Sequence, residues 1–247
     1  MMMKNYIIAV FLLLAPALAH AVAEGIHLDK ANIDPNNRQS QQRGARLFVN
    51  YCLSCHSADL MRYERIGTDL GINEKMLKEN LIFTGGKPGD LMTVATAPAD
   101  AKEWFGTVPP DLSVIARSRG VDWLYTYMRS FYLDDSKLTG VNNLVFPDVG
   151  MPDVLWELQG WQKPVITTVK DEDGTERKVV SLELVKPGLL TPKEYDRAIR
   201  DLVNFLEYMG EPYKYERQHL GVRVIMFLLV LLVLAILMKK SFWKDVH

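Results

Sequence analysis

Residues 51–63 read YCLSCHSADLMRY and hold both cysteines of this 247-residue chain. Cys52 and Cys55 stand three positions apart, and His56 follows directly. Three chemistries use thiols at such spacing. Thioredoxin-like redox exchange wants C-x-x-C at the start of a helix inside a βαβ unit. Here the preceding stretch, SQQRGARLFVNY, is helical in pattern, so the cysteines close a helix instead of opening one. A structural zinc wants four ligands. The five histidines are His20, His27, His56, His219 and His247, and they do not supply a set with the two thiols. The third chemistry is covalent haem attachment, whose signature is C-x-x-C-H. Each thiol adds to a porphyrin vinyl group as a thioether, and the adjacent imidazole supplies one axial nitrogen. One haem c, held by Cys52, Cys55 and His56, accounts for both thiols.

Electron-transfer haems usually take methionine as the other axial ligand. Met61 is too close to His56 in sequence to cross to the opposite haem face. Met128 lies in an aromatic helical stripe, DWLYTYMRSFYL, and reads as core; Met209 ends a helix; Met226 and Met238 are in an apolar run; Met76 is in a polar helical stretch. Met92 follows a loop, TGGKPGD, and Met151 sits in FPDVGMPDVLW, where Pro147, Gly150 and Pro152 rule out regular structure. A loop of that stiffness presents a sulfur at one point. Both Met151 and Met92 remain open on these grounds. A haem also carries two carboxylates, and Arg117 and Arg119 in VPPDLSVIARSRG are candidate partners, if they are not simply solvated.

These residues need elements to position them. The expected fold is mainly α. A helix over 40–53 delivers the cysteines. A second over 192–209 starts at a Thr191 cap with Pro192 in its first turn, and buries Ala198, Ile199, Leu202, Phe205, Leu206 and Met209. Gly44 would let the two cross closely. Alternation on either side of Asp173-Gly174 predicts a β-hairpin excursion. The acidic groups Asp134–Asp135 and Asp171–Asp173 could steer a basic partner, or merely be soluble surface.

The chain's ends set its compartment. Residues 1–23 carry one cation, Lys4, then an apolar run and alanines in A-x-A registers, the pattern of a secretory signal peptide. Leu220–Met238 is nearly all apolar over a length that spans a bilayer. Lys239, Lys240, Lys244 and Trp243 follow it. The expected organisation is a signal peptide over 1–23, an exported (periplasmic) haem domain over 24–218, a transmembrane anchor over 219–239 and a cytoplasmic tail over 240–247. The protein would then sit in a bacterial inner membrane with lipid around its single span. A formal net charge of −1 gives no basic excess for nucleic acid.

Taken together, CLSCHS with MRYERIG after it, VPPDLSVIARSRG, FPDVGMP and the tail from FLEYMGEPYKYERQHLG through the apolar run resemble the cytochrome c1 family, the haem subunit of the cytochrome bc1 complex. The likeness covers nearly the whole mature chain. It implies a cytochrome c-like fold, thioethers at Cys52 and Cys55, axial ligation by His56 and Met151, and Arg119 and Arg117 near a propionate. It implies single-electron transfer from a Rieske iron–sulfur subunit to a soluble cytochrome c, alongside cytochrome b, with no catalytic acid or base on this chain. In family members the ligand methionine is often followed by Ala-Pro-Pro, whereas Pro152-Asp153 follows here. Two other readings stay on the table: a tethered cytochrome acting alone or in an oxidase, and an exported, membrane-tethered thiol oxidoreductase.

Overall fold

The computed structural model describes residues 27–83, 85–94, 96–170 and 176–244. The signal-peptide reading over 1–23, the turn at Asp173-Gly174, the acidic run Asp171–Asp173 and the last three residues of the tail lie outside them.

The core is built on two crossing helices, one from each end of the segment that precedes the apolar tail. Helix α1 (Arg38–Leu47) is capped by Asn37, whose side chain accepts from the Ser40 N–H. The expected helix over 40–53 does not continue as one regular helix. After Leu47 it loosens into a π-helical turn, Phe48–Cys52, in which the Leu53 N–H reaches back five residues to the Phe48 carbonyl. Helix α8 (Pro192–Gly210) opens with the cap expected at Thr191, which Glu194 completes as a capping box, and buries one long stripe. The two meet at Gly44, where a β-carbon would fall 2.1 Å from the Asp201 carbonyl oxygen and 2.6 Å from the Phe205 Cβ. Around that contact the buried Asp201 carboxylate accepts from Ser40 Oγ at 2.6 Å and from Arg43 at 2.6 and 2.9 Å. Phe48 packs on Phe205, ring centroids 5.6 Å apart.

Between these helices the chain makes short elements. Strand β1 (Ala58–Arg62) is followed by α2 (Tyr63–Leu70), α3 (Glu74–Asn80), β2 (Leu91–Met92) and α4 (Pro98–Phe105). Helices α5 (Ile115–Arg119) and α6 (Val121–Arg129) join at Gly120, whose φ of +86° favours glycine. Strands β3 (Phe131–Leu133) and β4 (Val141–Asn143) form a small hairpin, then α7 (Trp156–Gln159) leads to the long hairpin β5 (Gly160–Lys170) and β6 (Glu176–Pro187). The described strands form three two-stranded sheets. The long hairpin is the expected excursion, tied to the body where Gln162 Nε2 donates to the Arg129 and Phe131 carbonyls, 3.0 Å each. Asp134, offered above as steering charge, serves the β3–β4 turn: it accepts from Ser136 and from Asn142 Nδ2.

Helix α9 (Lys214–Phe242) is the apolar tail, and it begins several residues before the expected boundary at 219. Within Glu216–Phe242 its most apolar 18 residues have a mean hydropathy of 3.0, and none of that stretch is buried within the protein. A helix this apolar with no protein cover matches a lipid surround, and 29 residues at about 1.5 Å each exceed a bilayer's hydrocarbon core.

Candidate functional site

The π-helical turn decides where the thiols go. By widening the helix before Cys52 it turns the chain over tightly, so the Cys55 and His56 N–H groups both donate to the Cys52 carbonyl, at 3.1 and 2.8 Å. Cys52, Cys55 and His56 thereby line one wall of an apolar cavity of about 410 Å³, within the roughly 300–1,000 Å³ of cofactor pockets. Met151 lines it from the loop before α7. Leu202 and Leu206 reach it from α8, and Leu124, Tyr127 and Met128 from α6.

The histidine is held by the Pro-Pro turn. His56 Nδ1 lies 2.7 Å from the Pro110 carbonyl oxygen. A carbonyl can only accept, so Nδ1 carries the proton and Nε2 keeps its lone pair. Burial pulls His56 below the ordinary histidine value, against the Pro110 carbonyl and Asp111, which favour the cation. The neutral form is the result, with Nε2 left free as a donor atom. Three more bonds stitch the same two segments together: Leu112 N–H to the Ser57 carbonyl, Asp59 N–H to Asp111 and Leu60 N–H to Ser113 Oγ. Asp111 therefore caps this junction and the Ser113 N–H, and does not cap α5.

The methionine loop is held by two asparagines. Fully buried Asn143 donates to the Tyr127 carbonyl at 2.8 Å and accepts from the Val145 and Phe146 N–H groups. Asn142 Oδ1 accepts from the Asp148 N–H at 2.9 Å. Asp148 takes a φ of +60°, and Gly150 lets the loop pass against Phe105 and Thr107, with a built β-carbon 3.0 Å from the Phe105 carbonyl. Asp153 is buried and accepts from the Leu155 N–H at 3.1 Å, starting the turn into α7. Burial pushes its carboxyl up to about 6. The Met151 sulfur accepts from the Tyr127 hydroxyl at 3.3 Å.

The other candidates separate cleanly. Met92 is fully buried in β2, paired opposite Ala58, and does not line the cavity. Met128 does line it, although its pattern reads as core. Arg119 lines the cavity and stacks over Trp123 at 5.1 Å. Arg117 does not line it and packs toward Gly210. Two residues along a helix turn about 200°, so these arginines leave α5 on opposite sides. The stitching by Asp111 and Ser113, and the asparagine pair, were missed from the sequence; an Asn-Asn beside a proline-bounded loop was the available signal.

The thiols do not read as a redox pair. Burial pushes Cys52 up to about 12, and Cys55 beside it adds to the rise. Reactive cysteines have the opposite shift. Among the described residues no cluster of three or more His, Cys, Asp or Glu could hold a metal. The arrangement suits a flat apolar group held by two sulfurs at one edge, with imidazole and thioether available as axial donors.

The family model described as the Cytochrome C1 family matches residues 78–246. The chain is 51% identical over 245 residues to a cytochrome c1 of Allochromatium vinosum, covering 99% of this chain and all of that one. The chain belongs to the cytochrome C1 family. The family match begins after the C-x-x-C-H segment, while the full-length likeness runs across it. A Rhodospirillum rubrum cytochrome c1 is 26% identical over 83% of this chain and 81% of its own length. A protein of Nitrosomonas europaea named ammonia monooxygenase gamma subunit is 49% identical over the whole of this chain and 99% of its own. Membership gives the function in outline: a haem c electron-transfer subunit of the cytochrome bc1 complex, on a single membrane span.

Proposed function

We propose that this chain holds one haem c, bound by thioethers at Cys52 and Cys55, with His56 and Met151 as axial ligands. It takes single electrons from the Rieske iron–sulfur subunit beside cytochrome b and passes them to a soluble cytochrome c. The observation that carries this reading is the convergence of Cys52, Cys55, His56 and Met151, from opposite halves of the exported segment, on one apolar cavity. The group itself would supply reversible one-electron chemistry. The chain's residues do the rest: the Pro110 carbonyl fixes the imidazole tautomer, the cavity walls exclude water, and Arg119 faces a propionate. Arg117, turned away toward Gly210, is not assigned that role.

The same reading assigns residues 1–23 to a signal peptide, 24–218 to a periplasmic domain, 219–239 to the membrane and 240–247 to the cytoplasm. The lysines after the span favour that orientation. The upward shift of Cys52 opposes a thiol oxidoreductase. The ammonia monooxygenase name borne by one relative does not transfer well, because iron with two protein ligands has no open position for a substrate.

The test is purification from native membranes. Haem staining on a denaturing gel at the mass of this chain, with cytochrome b and a Rieske protein in the same fraction, supports the reading. A stained chain that purifies alone favours a solitary tethered cytochrome, and an unstained chain overturns haem attachment.

A further inference from the structure

We propose that the Tyr127 hydroxyl is a positioning residue for the iron ligand: it selects which lone pair of the Met151 sulfur faces the cavity, and it weakens that sulfur as a donor. The inference rests on the reading of Met151 as axial ligand. A thioether sulfur carries two lone pairs and is a weak acceptor. With one pair occupied by Tyr127 Oη at 3.3 Å, only the other is free for a metal. The sulfur's handedness as a ligand is then set by the protein.

The hydroxyl is aimed by its surroundings. Tyr127 is 8% exposed, and its ring stacks on Trp123 with centroids 4.9 Å apart and planes 10° from parallel. Phe131 meets its edge at 5.1 Å. Trp123 is held in turn by the Arg119 guanidinium on its face and by Phe146 at its edge. The Tyr127 carbonyl receives Asn143, which also organises the loop leading to Met151. Phenol and sulfur are thus fixed to one another through the same short network.

The electronic consequence has a definite sign. A donated hydrogen bond draws density from sulfur, so less reaches the iron. Ferric iron is poorer in electrons than ferrous and loses more by this. The ferric state is disfavoured and the reduction potential rises, one of the levers open to a protein around a haem.

Redox titration of native membranes carrying Tyr127→Phe, which keeps the ring, should give a lower midpoint potential with the haem still covalently attached. The weak red band of sulfur-ligated ferric haem should also change. Site-specific 3-fluorotyrosine at 127, a stronger donor, should shift the potential upward. Phe131→Leu keeps the hydroxyl but loosens its aim, and should lower the potential by less than Tyr127→Phe does. If Met151→Leu lowers the potential while Tyr127→Phe does not, the proposal is overturned and Met151 stands as ligand. If Tyr127→Phe lowers the potential but 3-fluorotyrosine at 127 leaves it where it was, the strength of the hydroxyl's hydrogen bond is not responsible, which also overturns it. If neither Tyr127→Phe nor Met151→Leu moves the potential, the ligand reading falls first and takes this one with it.

Discussion

Gly44 and Asp201 approach so closely that the glycine's absent β-carbon would lie 2.1 Å from the aspartate's carbonyl oxygen. Backbone, unlike a side-chain tip, cannot swing aside. Any side chain at 44 must therefore push α1 away from α8, which carries Leu202 and Leu206 into the cavity. Gly44→Ala should cost about 1–3 kcal/mol, as overpacking does. Thermal unfolding of the detergent-purified protein should show a lower midpoint; an unchanged midpoint would contradict the crossing described.

Asn143 is fully buried and makes bonds to Tyr127, Ser130, Val145 and Phe146. Asn143→Ala strands several of those groups at once. Each buried unsatisfied group costs about 1–3 kcal/mol, so a loss of at least ~2 kcal/mol is expected in denaturant titration. The haem should stay attached, while the spectral signature of sulfur ligation weakens because the Met151 loop loses its tie to α6.

Two buried tyrosines make stability sensitive to alkali. Burial raises Tyr195 well above the ordinary value, and burial with Asp69 raises Tyr208. Tyr195 donates to the Met128 carbonyl and Tyr208 to Asp69, each at 2.8 Å. In the unfolded chain both ionise near the usual value of about 10. Above that pH the folded state retains protons the unfolded state has released, so stability present below about pH 10 declines as pH rises. Thermal midpoints measured from pH 8 to 12 should be level and then fall, with Tyr195→Phe flattening part of the fall.

Three methionines give a contrast. Met151→Leu should lower the reduction potential and leave the covalent haem. Met92→Leu, in a buried strand away from the cavity, should leave the potential as it was. Met128→Leu keeps volume in a residue that shares the cavity wall and should also change it little. A drop confined to Met128→Leu would move the sixth ligand to α6.

Much of this was legible from residue type and spacing. Thr191-Pro192 marked the start of α8, and the 19 positions from Leu220, nearly all apolar, marked the span, because caps and long apolar runs are local signals. Gly44 was legible as a crossing point, since small residues matter where helices touch. The π-helical turn at Phe48–Cys52 was not: nothing in FVNYC separates a five-residue bond from a four-residue one. The Met92 alternative survived in sequence because a loop and a two-residue strand look alike there. Arg117 and Arg119 could not be told apart until the face of α5 was known. Long-range ties such as His56 to Pro110 have no local signature at all.

The central claim is covalent attachment of haem through Cys52 and Cys55. Mass spectrometry of the tryptic peptide spanning residues 47–62, from protein purified from native membranes, tests it most directly. The account predicts that peptide at its own mass plus one haem, with both sulfurs closed to alkylating reagents. The unmodified peptide, or its disulfide, would contradict it.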